Sequence, residues 1–353
     1  MREGPAGIQD TTRTPRPART FTMNDRVVSF PWMGRANTFL LKKTLEVLGL
    51  KVLLPPPISE RTVKLGVRHS ADMMCFPYKV TLGSFVEALD RGANTLLMYD
   101  NCGRCRQRHY WKIHEFTLRK LGYDFELYPV SRHTMIPVLR KLSGRSYLAV
   151  FRAYRRFARE IRDLDRKRYA WSSAKLNIGL IGEIYTCCEE RVNCDIERKL
   201  KKLGVNPFNT SVLSDFMKSD VNVNPFSMLR GFFRNSDEII DDVSVSADKL
   251  EHVEEAKQYL NGPVGGHGFE NVYNLLWLRD KRVDGVMHLL PLSCMPETTV
   301  EPIINHICQE AGIPLLRLVL DETNSEANID TRVETFIELI KRKRKAHEVL
   351  ARN

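Results

Sequence analysis

The chain has 353 residues, 43% hydrophobic and 27% charged, enough for two domains of ordinary size. No apolar run reaches the ~18 residues of a membrane span, and the first residues lack the apolar centre of a secretory signal, so a cytoplasmic protein is expected. The net charge of +11 sits in residues 1–22 (+2), 152–168 (+5) and 341–353 (+5), and the remainder sums to −1, which argues against a nucleic-acid surface spread over the fold.

Residues 1–22 (MREGPAGIQDTTRTPRPARTFT) are rich in Pro, Thr and Arg and read as a disordered tail, with Met23 opening a cleaner chain. RVVSFPW (26–32) reads as the first strand. A helix over 37–48 carries Leu41, Leu45 and Leu48 on one face, and Gly49 stops it. KVLL (51–54) reads as a strand closed by Pro55, Pro56 and Pro57. Then come a helix near 80–91, the strand TLLMY (95–99), a helix near 108–121, a strand at 125–130 and a helix at 133–142. Residues 145–170 form one long charged helix that joins two halves. Its basic face is ordinarily a solvated one; an acidic partner or a CoA-type phosphate is the sharper use for it.

The second half opens with the strand LNIGLIGEIY (176–185) and a helix over 191–203 that ends at Gly204. Residues 207–245 mix short helices with loops. Helices near 247–260 and 268–280 precede a buried strand at 284–290, a helix near 300–311, a strand at 314–320 and a final helix at 331–345. Strand and helix alternate throughout, so the expected fold is α/β with mainly parallel sheets. The expected divisions are a tail over 1–22, an N-terminal domain over 23–170, a C-terminal domain over 171–345 and a basic tail over 346–353.

Eight cysteines occur in a long chain with no secretion signal, which favours reduced thiols and metal or redox chemistry over disulfides. Cys102 and Cys105 follow the strand TLLMY, Cys187 and Cys188 follow LNIGLIGEIY, and Cys294 lies four residues past 284–290. Open α/β sheets bind ligands outside the carboxyl ends of their strands, so three strands deliver cysteines to the functional edge. Cys75 shortly precedes a helix, whose N-terminus favours a thiolate. Cys308, on a helix face with Ile304 and Ala311, reads as a core residue, as does Cys194 within a charged helix. A structural zinc site favours two close Cys pairs, and only one Cys-x-x-Cys is present; an iron–sulfur cluster accepts cysteines from remote loops.

Six blocks, in order, carry a resemblance: GRANTFLLKKTLEVLGLKVLLPPP (34–57), CFPYKVTLGSFVEAL (75–89), CGRCRQRHY (102–110), IGLIGEIY (178–185), GVMHLLPLSCMPETTVEP (285–302) and IPLLRLVLDETNSEANIDTRVETFIE (313–338). Through most of residues 25–340 the chain resembles the 2-hydroxyacyl-CoA dehydratase superfamily of iron–sulfur proteins. The likeness is strongest to its stand-alone branch, related to acyl-CoA dehydratase activases and double-cubane-cluster proteins. The resemblance implies tandem Rossmann-like domains and a [4Fe-4S] cluster on three cysteines, which by position are Cys75, Cys105 and Cys294. Cys102, Cys187 and Cys188 raise the set to six, and members with six ligands can carry a double-cubane [8Fe-9S] cluster.

The resemblance also implies a separate ATP-hydrolysing activator that supplies low-potential electrons, and an acyl-CoA or small-molecule substrate. The chain itself has no Gly-x-x-x-x-Gly-Lys-Ser/Thr phosphate loop. GPVGGHGFEN (262–271) is glycine-rich and precedes a helix; a turn is its plain reading, a CoA pyrophosphate cradle its functional one. Two classes of function follow: a redox enzyme with an open iron, or a non-catalytic electron-transfer subunit whose ligand positions are all filled. A homo- or heterodimer fits either. His267, His288, Glu183 and Glu297 are acid–base candidates by nearness in sequence alone.

Overall fold

The computed structural model of the protein describes residues 20–100, 105–131, 134–216, 247–262 and 264–350. Cys102, most of the expected N-terminal tail and the greater part of 207–245 lie outside them.

Two all-parallel sheets carry the fold. In the first, β1 (Val28–Ser29) pairs with β2 (Thr95–Tyr99), and β2 with β3 (Glu126–Val130). The second runs in the order β5 (Asn206–Asn209), β4 (Asn177–Gly182), β6 (Gly285–Pro291) and β7 (Leu315–Leu320). The expected strand at 51–54 is reduced to one parallel bridge, Val52 to Val28, on the free side of β1. With that bridge taken as a vestigial strand, both units follow one order: second, first, third, fourth. Such an order leaves a crevice at the carboxyl ends of the first and third strands.

Helices connect these strands: α1 (Arg35–Val47), α2 (Glu60–Arg68), α3 (Phe76–Asp90), α4 (Tyr110–Lys120), α5 (Met135–Ser143) and α6 (Tyr147–Arg168) in the first half. The second half adds α7 (Ile184–Cys188), α8 (Ile196–Lys202), α9 (Leu213–Phe216), α10 (Leu250–Tyr259), α11 (Gly268–Asp280), α12 (Met295–Glu310) and α13 (Glu326–Leu350). Both central strands, β4 and β6, are buried along their whole length, as strands covered by helices on two faces must be. The long helix α6 buries Val150, Tyr154, Phe157, Ala158 and Ile161 at helical spacing against the first core and leaves Arg155, Arg156 and Arg159 exposed.

Several boundaries differ from the sequence reading. Helix α2 was not expected. Helix α3 begins at Phe76 rather than 80, and α12 at Met295 rather than 300, so each starts immediately after a cysteine. Strand β4 stops at Gly182, and Cys187 and Cys188 lie in the short helix α7, not directly beyond a strand. Cys194 is in a turn of left-handed backbone ahead of α8, not inside a helix.

Candidate functional site

Cys75, Cys105 and Cys294 hold equivalent positions. Each is the N-cap of a helix: Cys75 of α3, Cys105 of the 3-10 turn Arg106–His109, and Cys294 of α12. Each has extended backbone, and none spends its side chain on a capping hydrogen bond. The unpaired N–H groups and positive dipole of a helix start favour an anionic sulfur at such a position.

One guanidinium ties the three segments together. Arg106, next to Cys105, donates from Nη1 to the Met73 carbonyl at 3.1 Å and from Nη2 to the Ser293 carbonyl. It therefore links the turn before Cys75 to the loop before Cys294. Gly266 closes the same corner: a β-carbon there would lie 3.7 Å from Cys105 Cβ and 2.9 Å from Pro296 Cγ. Tyr110, on the first turn of α4, is hydrogen-bonded through its hydroxyl to Cys75 Sγ.

The thiols are held away from water, and their acidity reflects it. Burial pushes Cys75 up to about 12; the Tyr110 hydroxyl opposes this, while Glu183 and Cys105 add to it. Burial also raises Cys105, and it raises Cys294 with help from Glu297, Glu183 and Cys75. Three sulfurs that feel one another in this way become thiolates together only beside a positive centre.

Behind Cys294 is a closed polar network. Glu297 has no solvent exposure and meets His288 Nε2 at 2.7 Å. Asn271 Nδ2 donates to both Glu297 oxygens at 2.9 Å, and Asn271 Oδ1 accepts from the Gly182 amide at 3.0 Å and the Ser211 hydroxyl at 3.3 Å. Of the four acid–base candidates, His288 and Glu297 thus prove to be partners. Glu183 caps α7, accepting from the Tyr185 and Thr186 amides and the Thr186 hydroxyl, and burial raises its carboxyl.

The two halves meet across this edge. The Gly34 amide donates to Glu189 Oε2 at 2.7 Å and the Arg35 amide to Glu190 Oε2 at 3.0 Å. Gly34 has φ 87°, and a β-carbon there would stand 2.3 Å from the Cys188 carbonyl, so only glycine allows this approach. Beside the contact is a mostly apolar cavity of about 170 Å³, lined among others by Trp32, Asn37, Tyr110, Tyr185, Cys188 and His267. Tyr110 closes the block CGRCRQRHY, and Asn37 and Tyr185 fall inside two other resembling blocks, where neither spacing nor composition marks them as functional.

The other described cysteines of the expected set have neighbours of their own. Cys187 is packed in the second core with Ile178, Leu180 and Ile196, and Cys188 Sγ faces the Ser211 carbonyl at 3.5 Å. Cys308 is buried with Ile304 in the core between α11 and α12, as its helix face suggested. Among the described residues, no three of His, Cys, Asp and Glu stand close enough to hold a single metal ion. A cluster's ligands stand farther apart, across its width.

Residues 267–340 match the family model of the 2-hydroxyglutaryl-CoA dehydratase D-component. The match spans α11, β6, the turn bearing Cys294, α12, β7 and part of α13. It supports the resemblance to the 2-hydroxyacyl-CoA dehydratase superfamily on a stretch that includes one of the three cysteines. No curated protein matches the chain. Among the described residues, no helix is long and apolar enough to cross a membrane.

Proposed function

We propose that the protein is an iron–sulfur redox enzyme of the 2-hydroxyacyl-CoA dehydratase type, a dehydratase-type lyase or a low-potential reductase component. It holds one [4Fe-4S] cluster through Cys75, Cys105 and Cys294. The observation that supports this most is the Arg106 clamp, which links three helix-capping cysteines drawn from both halves of the chain. The donor set also fits: three sulfurs, withdrawn from water, at positive helix ends. A double-cubane cluster would need Cys102, Cys187 and Cys188 as well, and Cys187 is committed to the second core.

When bound, such a cluster supplies an electron at low potential and an iron not fully ligated by the protein. The chain's own residues do the rest. Tyr110 shares its hydroxyl hydrogen bond with the Cys75 sulfur and favours the thiolate. Glu297 and His288 hold the first turn of α12, and with it Cys294. The apolar cavity beyond Tyr110 keeps a substrate out of water, which favours an enzyme over a bare electron carrier. A separate ATP-hydrolysing activator delivers the electrons, and the exposed arginines of α6 offer an acidic partner a surface.

Anaerobic purification with iron, acid-labile sulfide and electron paramagnetic resonance measurements tests the reading. About four irons and four sulfides per chain are expected, and stoichiometric zinc without sulfide would overturn it. An activator should change the cluster spectrum only when ATP is present.

A further inference from the structure

The Tyr110 hydroxyl and the Cys75 sulfur meet because two helices are locked together at their starts. Cys75 caps α3, and Tyr110 opens α4. The Tyr110 ring lies edge-on to that of Tyr78, which is one turn along α3 from Cys75, with centroids 4.9 Å apart at 71°. Behind both rings His114 is fully buried, with Nδ1 at 2.6 Å from the Tyr110 carbonyl and Nε2 at 3.0 Å from the Thr81 hydroxyl. A carbonyl oxygen only accepts, so Nδ1 carries the proton, and burial lowers the imidazole to about 4, which keeps it uncharged at neutral pH. Tyr110 is thus fixed both from α3 and from its own helix. It is 1% exposed, beside a Cys75 that is 8% exposed.

A sulfur that ligates iron carries no proton. The Tyr110 hydroxyl keeps its own at neutral pH, since a tyrosine ionises only near 10. With Cys75 as a ligand, the hydrogen bond between them therefore has one direction, and the hydroxyl donates. It lies away from water, where a donor to a charged acceptor counts most.

We propose that Tyr110 sets the reduction potential of the group that Cys75 holds, by donating a hydrogen bond that is stronger after an electron arrives than before. The inference rests on the iron–sulfur reading and deepens it. The electron comes from the activator named there, the hydroxyl keeps its proton, and the added negative charge is shared by the sulfurs, one of which faces Tyr110. A donor that favours the more negative state raises the potential. Tyr110 acts through Cys75 and is a positioning residue.

The test is a reductive titration of anaerobically isolated full-length protein, poised with low-potential dyes and followed by electron paramagnetic resonance. Tyr110→Phe keeps the ring and its packing. It should hold the parent's iron and sulfide and shift the balance about tenfold toward the oxidised form, which lowers the midpoint by about 59 mV for a one-electron couple. Tyr78→Phe removes the hydroxyl of the neighbouring ring and should leave the midpoint where it is. The Fe–S stretching bands of the parent in resonance Raman spectra should move in heavy water, and those of Tyr110→Phe should move less. Equal midpoints in the parent and Tyr110→Phe, or a shift as large in Tyr78→Phe, would overturn the proposal. So would loss of iron from Tyr110→Phe, which would make the hydroxyl a structural support. Parent bands that ignore heavy water would overturn it without any variant. A parent that never holds iron sinks the iron–sulfur reading and this inference with it, whereas iron held at equal midpoints sinks this inference alone.

Discussion

At the carboxyl edge of the second sheet, buried polar groups answer one another: the Gly182 amide, Ser211, Asn271, Glu297 and His288 form one chain of hydrogen bonds. Where α7 of the second half meets the first sheet, Asn37 and Tyr185 each carry a polar atom with no partner among the described residues. The strand order of the two units is the same, so topology does not explain the difference. A satisfied network rigidifies what it touches, and here it touches the turn that presents Cys294. Polar atoms buried without a partner give no such rigidity and cost free energy instead. One region has its polar groups tied to one another and the other does not.

The largest effect that could break this division is on iron. Cys105→Ala and Cys294→Ala should each remove most of the iron from anaerobically isolated protein, whereas Cys187→Ala and Cys188→Ala should leave it unchanged. If the latter pair, combined, halves the iron while the protein still folds, α7 beside the cavity supplies cluster ligands as well and the division fails. Next in size is the cost of opening the closed network. Asn271→Leu keeps the volume but strands Glu297 and the Gly182 amide in the interior. A loss of about 3 kcal/mol in chemical denaturation is expected, and a loss under about 0.5 kcal/mol would mean that the network is not what holds this edge.

Much of the architecture was legible because its strands are short apolar runs and its helices are amphipathic. The strand TLLMY came out with its ends intact. Where reading failed, a residue served two purposes. Helix α2 was hidden by Gly66, which looks like a breaker; in the fold, a β-carbon there would lie 1.7 Å from the Lys79 carbonyl, so the glycine lets α2 lie directly against α3. Its start was signalled by Ser59 and Thr62, which cap one another, but the three prolines upstream masked the sign. Helices α3 and α12 seemed to begin later because Pro77 and Pro296, which suit a first turn, also read as loop residues. The shared helix-capping role of Cys75, Cys105 and Cys294 was visible only as placement beyond a strand or ahead of a helix. The Arg106 clamp and the Asn271 network join residues 33 to 187 and 26 to 89 positions apart, and spacing carries no trace of such contacts.

The contact between the two halves should give the protein a pH dependence. Glu189 is 3% exposed, and burial lifts its carboxyl to about 7, against the pull of the Gly34 and Arg191 amides. Below about 4.5 the carboxyl is protonated whether the chain is folded or unfolded, and it contributes no pH dependence. Between about 4.5 and 7 the unfolded chain ionises first, so stability falls as pH rises; above 7 the penalty is constant. Its full size is on the order of 3 kcal/mol. Glu189→Gln retains an acceptor for the Gly34 amide and should flatten the stability curve between pH 5 and pH 8. A variant whose curve parallels the parent's would place the ionisation elsewhere.

The smallest effect separates the two regions most directly, because it deletes one hydroxyl from the closed network and one that has no partner among the described residues. Ser211 Oγ donates to the Gly182 carbonyl at 3.0 Å and joins Asn271, so Ser211→Ala leaves acceptors unmatched and should cost about 1–2 kcal/mol. Among the described residues, Tyr185 Oη has no partner to lose. Tyr185→Phe removes a polar atom that folding has already desolvated without return, so the protein should be unchanged or stabilised by up to about 1 kcal/mol. Opposite signs from two hydroxyl deletions, measured by chemical denaturation, would distinguish a polar network that is complete as folded from a hydroxyl that folding leaves unpaired. If Tyr185→Phe is instead destabilising by as much as Ser211→Ala, the Tyr185 hydroxyl is already bonded, by water or by the chain, and the contrast between the regions disappears.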